Sequence, residues 1–420
     1  METVQSRIME RIDTLAAIND TPGVGVTRFS YGEKDAQARA WLFGEFERIG
    51  LKYSVDAVGN IRARYDGTDN ALAPVWFGSH IDSVRNGGKF DGIVGSVSAL
   101  EVLTVLHENG VRTKRPLELI YFAEEEGANF GTTMIGSKAL VGKCDCTYLR
   151  ELKTEDGTTA YDLMKQFGLD PERLSDYILK PEEVHAMVEL HIEQGAVLEY
   201  EKKSIGVVEA IVGMQTYQVV VNGRADHAGS TPMNMRKDPM VAAAKLICEI
   251  QAFARYGVRD TTVATVGRIE CRPNAANVIP QTVEFSIDIR DICEEGIEKV
   301  VAFVRDRIRS VEQSDGVSIG MYPIGTSSCV RLDAGVVDTI EACVKDMGVP
   351  YLRMNSGAVH DSAMLAKVTR VGMIFVPSVD GKSHAPEEYT AIEDIKLGAD
   401  LLLDTIVRLA NESEWRNRKA

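Results

Sequence analysis

The sequence has little of what marks a membrane-spanning or secreted protein. None of its apolar runs reaches the roughly 18 residues that a membrane helix needs. The first 20 residues mix acidic with apolar side chains, lack the apolar segment of a signal peptide and predict an amphipathic helix. The 7 cysteines are odd in number, and Cys144 and Cys146 form a C-x-C rather than a C-x-x-C pattern. Free thiols in the reducing cytoplasm are therefore expected.

Basic residues are also in deficit. The chain has 47 Lys and Arg against 62 Asp and Glu, which gives a net charge of −15. Such a chain repels a phosphate backbone, and its densest basic group (Arg112, Lys114 and Arg115) is short, so no nucleic-acid partner is expected. The 45% of hydrophobic and 26% of charged residues are ordinary for a globular protein, and 420 residues most simply form two domains.

Periodicity predicts an α/β domain with a second domain inserted into it. Residues 75–77 and 117–123 form apolar, β-rich runs on either side of a helical pattern at 93–107. This strand–helix–strand order is the unit from which parallel sheets are built. Another strand is expected at 186–190, and the region from 328 onward returns to the α/β pattern. We therefore assign residues 1–212 and 328–420 to one catalytic α/β domain with a mixed sheet.

The region between these parts, residues 213–327, has a different element order. Strands are predicted at 215–221, 262–269, 283–289 and 317–322, and helices at 239–254 and 295–311. The resulting β-α-β-β-α-β order is the ferredoxin-like α+β pattern.

Residues of metal-binding type cluster around the predicted strand ends. His80 and Asp82 follow the first strand, and His191 follows the strand at 186–190. Because the carboxyl ends of parallel strands meet at one edge of a sheet, residues that are distant in sequence are expected to gather there. The remaining members of this set are Asp91 in a glycine-rich loop, Glu124, Glu125 and Glu126 after the second strand, and His384 after a strand at 371–376.

Imidazoles and carboxylates in this mixture suit zinc and similar divalent ions. No cysteine lies in these loops, which argues against a thiolate site. Three adjacent glutamates after a buried strand also favour a neutralising cation. The alternative, a solvated acidic loop with unrelated histidines, explains the glutamates alone but not the whole set.

Eight motifs carry a family resemblance. In chain order they are GSHIDSVRNGGKFDG (78–92), AEEEGANFG (123–131), ELHIEQG (189–195), DHAGSTPMNMRKDP (226–239), RPNAANVIP (272–280), DIRD (288–291), SGAVHD (356–361) and SHAPEE (383–388). Together they closely resemble the hydantoinase/carbamoylase branch of the M20 metallopeptidase-like family. That branch includes N-carbamoyl-L-amino-acid hydrolases, allantoate amidohydrolases and β-ureidopropionases. The resemblance extends from about Gly23 to Leu409.

The resemblance implies two divalent metal ions per subunit, expected to be Zn²⁺, with Mn²⁺, Co²⁺ or Ni²⁺ as other suitable ions. It implies that Asp91 bridges the ions, with His80 and His191 on one and Glu126 and His384 on the other. Asp82 is expected to accept the second ring N–H of His80, and Glu125 to act as general base. Metallopeptidases of the wider family usually have a carboxylate at the position of His191, so this histidine points to the carbamoylase branch.

The resemblance also gives roles to the inserted domain, which it implies is a lid and a homodimerisation domain. Asn277 and Arg290 are expected to bind the substrate carboxylate, and His227 to stabilise the oxyanion in the partner subunit's site. Gln194 and His360 are expected to line the pocket. Arg290 in a surface salt bridge and His227 as a plain exposed histidine are the alternatives.

The predicted activity is hydrolysis of N-carbamoyl-L-amino acids to the amino acid, ammonia and carbon dioxide. Allantoate or another ureido acid is the nearest alternative substrate, and a dipeptidase or N-acyl-amino-acid deacylase is more distant. A metal-free scaffold dimer would be expected to lack a ligand or the base, and none is missing. Asn129 and Val359 depart from the family's usual Arg and Gly, which leaves the identity of the substrate open.

Overall fold

A computed structural model of the protein describes residues 1–412, and the chain divides into two compact units. The first unit consists of Met1–Glu209 and the chain from Leu332 onward, and the second is Ala210–Arg331. Among the described residues, no helix has both the length and the apolar character that crossing a membrane requires.

Helices and strands are interspersed along the chain. The α-helices are α1 (Gln5–Ala17), α2 (Glu33–Arg48), α3 (Ile93–Glu108), α4 (Ile135–Leu140), α5 (Cys146–Glu151), α6 (Ala160–Gln166), α7 (Val197–Tyr200), α8 (Pro239–Tyr256), α9 (Glu294–Asp315), α10 (Ala334–Met347), α11 (Asp361–Leu365) and α12 (Ile392–Asn411). The strands are β1 (Lys52–Val55), β2 (Ile61–Tyr65), β3 (Val75–His80), β4 (Leu117–Phe122), β5 (Ala186–Ile192), β6 (Ile205–Ile211), β7 (Gly213–Asn222), β8 (Asp226–His227), β9 (Val263–Thr265), β10 (Ile269–Arg272), β11 (Val278–Ile279), β12 (Thr282–Asp291), β13 (Ser318–Ser327), β14 (Val330–Arg331), β15 (Tyr351–Ser356) and β16 (Val371–Val376). Short 3₁₀ helices occur at Pro171–Tyr177, Met233–Met235 and Val379–Gly381.

The first unit is built on a mixed sheet, as the sequence predicts. Its strands follow the order β1-β2-β4-β3-β5-β16-β6, and β15 also pairs with β6. β3 is parallel to β4 and β5, and β16 is parallel to β5. β1 pairs antiparallel with β2, β2 with β4, and β6 with β16. The carboxyl ends of the four parallel strands therefore meet at one edge of the sheet.

The central strands are continuous apolar runs because both of their faces are covered. Every residue of β3, β4, β5 and β16 is buried, which is typical of parallel strands under helices. Helix α3, which connects β3 to β4, is buried around its whole circumference from Ile93 to Leu106. Gly95 permits this close packing, since a Cβ at its position would lie 2.1 Å from the carbonyl oxygen of Leu190.

The structure corrects several predicted boundaries in the first unit. β3 and β5 extend further than predicted, so His80 is the last residue of its strand and His191 lies inside its strand instead of after it. Strands β1, β2, β6 and β15 have no counterpart in the prediction. The predicted N-terminal amphipathic helix is confirmed as α1, which buries Ile8, Ile12 and Leu15.

The second unit contains an antiparallel sheet with strand order β10-β12-β7-β13, and β9 also pairs with β12. Strand β12 alternates between half-buried and buried residues, and its buried side chains share one core with helices α8 and α9. The main elements β7, α8, β12, α9 and β13 follow the predicted order, and the short strands β8 and β11 have no counterpart in the prediction. The prediction of a single strand at 262–269 is wrong, because two strands lie in this region: β9 ends at Thr265 and β10 begins at Ile269.

Candidate metal centre

The five predicted metal ligands lie together in the first unit. His80, Asp91 and His191 form one group whose ligand atoms all lie within 4.8 Å of one another. Asp91, Glu126 and His384 form a second such group. The strand topology explains this gathering, because β3, β4, β5 and β16 all end at the same edge of the sheet. Asp91 belongs to both groups.

The two carboxylate oxygens of Asp91 face different histidines. Oδ1 lies 3.2 Å from Nε2 of His191 and 3.6 Å from Nε2 of His80. Oδ2 lies 3.3 Å from Nε2 of His384, whose ring is also 3.4 Å from Oε2 of Glu126. One carboxylate that directs one oxygen to each group of ligands is the arrangement that suits a pair of bridged cations.

Main-chain carbonyls orient the two buried imidazoles. Nδ1 of His191 lies 2.9 Å from the carbonyl oxygen of Ile192, and Nδ1 of His80 lies 3.1 Å from that of Asp82. A proton on each Nδ1 satisfies these carbonyls, so that the neutral imidazole has its Nε2 lone pair available to a cation. The side chain of Asp82 is slightly further from His80, with Oδ1 3.6 Å from Nδ1, and its Oδ2 accepts the backbone N–H of Glu126 at 3.1 Å.

The imidazoles and Asp91 perturb one another's titration. Burial would raise the pKa of Asp91, but the imidazoles of His191, His384 and His80 hold it well below its usual range. The contact with Asp91 raises the pKa of His384 to about 9. Burial would lower the pKa of His80, but contacts with Asp82 and Asp91 hold it well above its usual value. The groups therefore attract positive charge, which protons supply when no cation is bound.

The two neighbouring glutamates differ in their contacts. Burial raises the pKa of Glu126 to about 7, and the negative charge of Asp91 adds to this effect. Burial also raises the pKa of Glu125 well above its usual range. The Oε2 atom of Glu125 lies 3.9 Å from Nε2 of His80. Glu125 is thus within reach of the first group, and it joins His80 and Glu126 in a third combination of potential ligands.

Unsatisfied polar atoms show that these residues fit a divalent cation. Oε1 of Glu126 is buried and has no hydrogen-bond partner, and Nε2 of His191 forms no well-aligned hydrogen bond although Oδ1 of Asp91 lies 3.2 Å away. Buried polar atoms are almost always paired, and a coordinated ion would satisfy both. Nitrogen and carboxylate oxygen donors in groups of three match the ligand sets of zinc and related ions. The chain therefore has side-chain groups that could bind metal.

Three residues beside the centre adopt backbone conformations that are rare for residues other than glycine. Glu124, Gln194 and His384 have φ angles of 52°, 58° and 55°, a left-handed conformation that costs free energy and often accompanies functional sites. Gly92 has a φ of 66°, and a Cβ at its position would lie 2.4 Å from Cε1 of His80. The imidazole of His80 thus occupies space that any larger residue at 92 would fill.

Two of the predicted substrate residues also lie in the first unit. The Nε2 atom of Gln194 donates to Oδ2 of Asp91 at 2.6 Å. His360 is only 3% exposed, and its ring centroid lies 4.6 Å from that of His191. Its Nε2 lies 2.9 Å from Oγ of Ser356, and burial lowers its pKa well below the usual value. Gln194 thus contacts Asp91 directly, whereas His360 packs against His191.

The predicted oxyanion-stabilising residue His227 and the other two predicted substrate residues lie in the second unit. His227 is exposed in β8, and its Nδ1 accepts the backbone N–H groups of Gly229 and Ser230 at 3.0 and 3.1 Å. The carbonyl oxygen of Asn277 accepts the N–H of Ala228. The guanidinium of Arg290 donates to both carboxylate oxygens of Asp288, at 2.8 and 3.2 Å.

The departure at position 129 has a clear structural consequence. Asn129 donates its backbone N–H and its side-chain amide to the buried carboxylate of Glu124, at 2.9 and 2.8 Å. The same amide reaches the carbonyl oxygen of Ser30. Asn129 therefore holds the residue that precedes Glu125 and Glu126. Val359 is half-buried, and nothing in the structure explains this departure.

Sequence reasoning missed the buried carboxylates that support the ligand loops. Glu189, on β5, accepts hydrogen bonds from Ser79 at 2.8 Å and Ser362 at 2.6 Å. Glu388 accepts the backbone N–H groups of Phe90 and Asp91. Both glutamates lie within the motifs of the family resemblance, but the sequence analysis predicted no role for either of them.

Comparisons with known proteins identify the family of the chain. Residues 76–408 match the family described as peptidase family M20/M25/M40. An N-carbamoyl-L-amino-acid amidohydrolase of Paenarthrobacter aurescens is 39% identical over 94% of this chain and 96% of its own. An allantoate amidohydrolase of Bacillus subtilis is 33% identical over 97% of this chain and 98% of its own. A crystal structure of an amidase of the hydantoinase/carbamoylase family from Burkholderia multivorans is 32% identical, covers 98% of this chain and 99% of its own, and superposes with a TM-score of 0.91. The family resemblance of the motifs is confirmed, and the chain belongs to the M20/M25/M40 peptidase family, in its hydantoinase/carbamoylase branch.

Proposed function

We propose that this protein is a binuclear-metal amidohydrolase that cleaves the carbamoyl C–N bond of N-carbamoyl-L-amino acids. The products are the amino acid, ammonia and carbon dioxide, with one water consumed. The observation that carries the proposal is the position of Asp91, whose two oxygens face two separate groups of ligands. The relative that is 39% identical over nearly the whole chain bears the name of this activity.

The ligands divide between two ions. We propose that His80, His191 and Asp91 would hold one ion, and that Glu126, His384 and Asp91 would hold the other. Zn²⁺ suits this mixture of imidazole and carboxylate donors, and Mn²⁺, Co²⁺ and Ni²⁺ accept the same donor types. Bound ions of this kind would supply Lewis-acid chemistry by polarising the carbamoyl carbonyl and acidifying the attacking water.

Glu125 is the general base in this proposal. It lies beside His80 but outside both groups that contain Asp91. The burial that raises its pKa makes it a stronger base once it is ionised. Glu125 takes a proton from the attacking water and then delivers it to the leaving nitrogen. Asp82 supports this step by holding the backbone N–H of Glu126 and the ring of His80.

The second unit serves, in this proposal, as a lid and as the homodimerisation domain. Arg290 and Asn277 bind the substrate carboxylate, and a guanidinium is well suited to a two-point contact with it. Asp288 holds the Arg290 guanidinium in a fixed orientation. His227 stabilises the oxyanion in the partner subunit's site, and its exposure in β8 is compatible with that role. Gln194 and His360 contribute to the pocket of their own subunit.

The cellular location and substrate class complete the proposal. All 7 cysteines are free thiols, which supports a reducing compartment and hence the cytoplasm. Allantoate is the second candidate substrate, because a relative of similar coverage bears the name allantoate amidohydrolase. It requires the same attack on a carbamoyl group and the same binding of a carboxylate.

An ammonia-release screen tests the function. The metal-loaded enzyme is incubated with N-carbamoyl-L-amino acids, their D enantiomers, allantoate, N-acyl amino acids and dipeptides. We expect ammonia and amino acid in equal amounts from the L-carbamoyl compounds, and none from the Glu125→Gln variant. Activity confined to allantoate would favour the second candidate. Hydrolysis of dipeptides without ammonia would contradict both, and so would a complete lack of turnover.

A further inference from the structure

We propose that Glu388 is a positioning residue that joins the two loops carrying Asp91 and His384 and so sets the affinity of the second metal ion. This inference rests on the proposed function, because it assumes that Asp91, Glu126 and His384 bind that ion. Glu388 is not a member of any potential ligand group among the described residues. Its importance follows instead from what its two carboxylate oxygens hold.

One oxygen of Glu388 fixes the loop that carries Asp91. Oε1 accepts the backbone N–H groups of Phe90 and Asp91, both at 3.0 Å, from a position 297 residues away in sequence from Asp91. The side chain is buried, with only 4% of the residue exposed. A carboxylate that accepts two backbone N–H groups in a buried place forms strong hydrogen bonds and restricts the loop to one conformation.

The other oxygen fixes the loop that carries His384. Oε2 of Glu388 lies 2.8 Å from Oγ of Ser383, the residue immediately before His384. The same hydroxyl oxygen lies 2.9 Å from Oδ2 of Asp91, the oxygen that faces His384. His384 itself lies outside helices and strands and has a left-handed φ of 55°. Its place therefore depends on side-chain contacts such as those of Ser383.

A glycine in the first loop leaves room for this carboxylate. A Cβ at Gly88 would lie 2.2 Å from Oε1, 2.3 Å from Cβ and 2.4 Å from Cδ of Glu388. Because these contacts include the base of the side chain, Glu388 could not avoid them by moving its tip alone. Gly88→Ala would therefore displace Glu388 without removing any of its polar atoms.

Oε1 of Glu388 accepts two backbone N–H groups and Oε2 lies against the hydroxyl of Ser383, so the residue acts through Asp91 and His384 and not as a ligand. Outer contacts of this kind commonly change metal affinity by roughly 10–100-fold. We expect the loss to fall on the second ion, whose ligands include His384 and Oδ2 of Asp91. The first ion would be held by His80 and His191 as well as by Asp91, and Glu388 contacts neither histidine, so its affinity should change much less.

The test measures the Kd of each ion by titrating the chelated full-length protein with Zn²⁺ and with Mn²⁺. We expect Glu388→Ala to raise the Kd of the second ion by roughly 10–100-fold and to leave the first within about threefold. Gly88→Ala should change the second Kd in the same direction. Glu388→Gln keeps an oxygen for the two backbone N–H groups and should retain most of the affinity. The matched control is Glu387→Ala, which removes the adjacent exposed glutamate and should change neither Kd.

The outcomes separate this inference from the proposed function. If the wild-type protein binds no second ion, the proposed function is wrong. If the wild-type protein binds two ions and Glu388→Ala binds both with unchanged Kd values, only the role of Glu388 is wrong. A merely structural role would lower the melting temperature of the chelated protein without altering the ratio of the two Kd values. If Glu388→Ala does not fold, Ser383→Ala decides, and an unchanged second Kd in that variant overturns the proposal.

Discussion

Replacing Glu125 and Glu126 separately by glutamine distinguishes the base from the ligand. The two residues are adjacent and both side chains are largely buried, yet only Glu126 joins Asp91 and His384 in a ligand group. Glutamine has nearly the shape of glutamate but cannot accept a proton at neutral pH. Glu125→Gln should therefore keep both ions while losing proton transfer, whereas Glu126→Gln should lose the second ion.

The size of each effect follows from the contacts. General-base catalysis contributes roughly 10²–10⁴-fold, so kcat of Glu125→Gln should fall by that factor, which corresponds to about 2.7–5.5 kcal/mol. The Oε1 atom of Glu126 is buried without a partner, and its Oε2 lies 3.4 Å from Nε2 of His384. The amide in Glu126→Gln brings N–H donors to the position where we propose that a cation binds, so the second ion should be lost.

The assay combines ammonia release with elemental analysis of the same preparations. Glu155→Gln, which makes the same chemical change at an exposed position, is the control and should match the wild type in both measurements. If both active-site variants kept their metal and only Glu126→Gln lost activity, the two roles would be reversed. If Glu125→Gln lost metal as well, Glu125 would be a ligand, as its membership of the group with His80 permits.

Three further predictions address the centre, the fold and the dimer. The affinity for the second ion should increase as the pH rises from 6 to 8, by up to about tenfold per pH unit for each proton released. The reason is that His384 (pKa raised to about 9) and Glu126 (pKa raised to about 7) must be deprotonated to bind the ion. Competition with a chelator at three pH values measures this, and an affinity that does not change with pH would contradict it. Glu101→Ala should lower the free energy of unfolding, measured by urea titration, by about 3–5 kcal/mol. The fully buried carboxylate of Glu101 pairs with Arg7 and with the buried Arg11, and the substitution leaves both arginines without this partner. A loss below about 1 kcal/mol would contradict this reasoning. Mixed dimers of His227→Ala and Glu125→Gln subunits should regain up to half of wild-type activity, since one of their two sites is intact; no recovery in re-associated mixtures would mean that His227 does not serve the partner's site.

Local patterns in the sequence predict the elements that position the centre. The apolar runs of β3, β4, β5 and β16 and the helical spacing of α3 indicate a parallel arrangement, and parallel strands bring His80, Glu126 and His191 to one edge. Strand β15 has half-buried residues at five of its six positions, and such a strand lacks the clear alternation that marks a half-buried sheet. For this reason the sequence pattern does not predict it.

The support of the centre could not be predicted, because it depends on contacts between distant parts of the chain. Glu388 contacts Asp91 across 297 residues of sequence. No periodicity distinguishes it from its exposed neighbour Glu387. Likewise, no glycine marks the left-handed backbone at Gln194 and His384, although glycine is the residue type for which this conformation is easiest. The sequence therefore predicts which residues could bind metal, whereas the contacts that orient these residues are visible only in the folded chain.

The most direct test of the central claim is a metal titration followed by ammonia release. The protein is stripped with a strong chelator, verified as metal-free by elemental analysis and titrated with Zn²⁺ or Mn²⁺ in the presence of an N-carbamoyl-L-amino acid. We predict no turnover without metal, and activity that rises to a plateau at two ions per subunit, with ammonia and amino acid released in equal amounts. Full activity in the metal-free preparation, or a plateau at one ion per subunit, would contradict the two-metal mechanism.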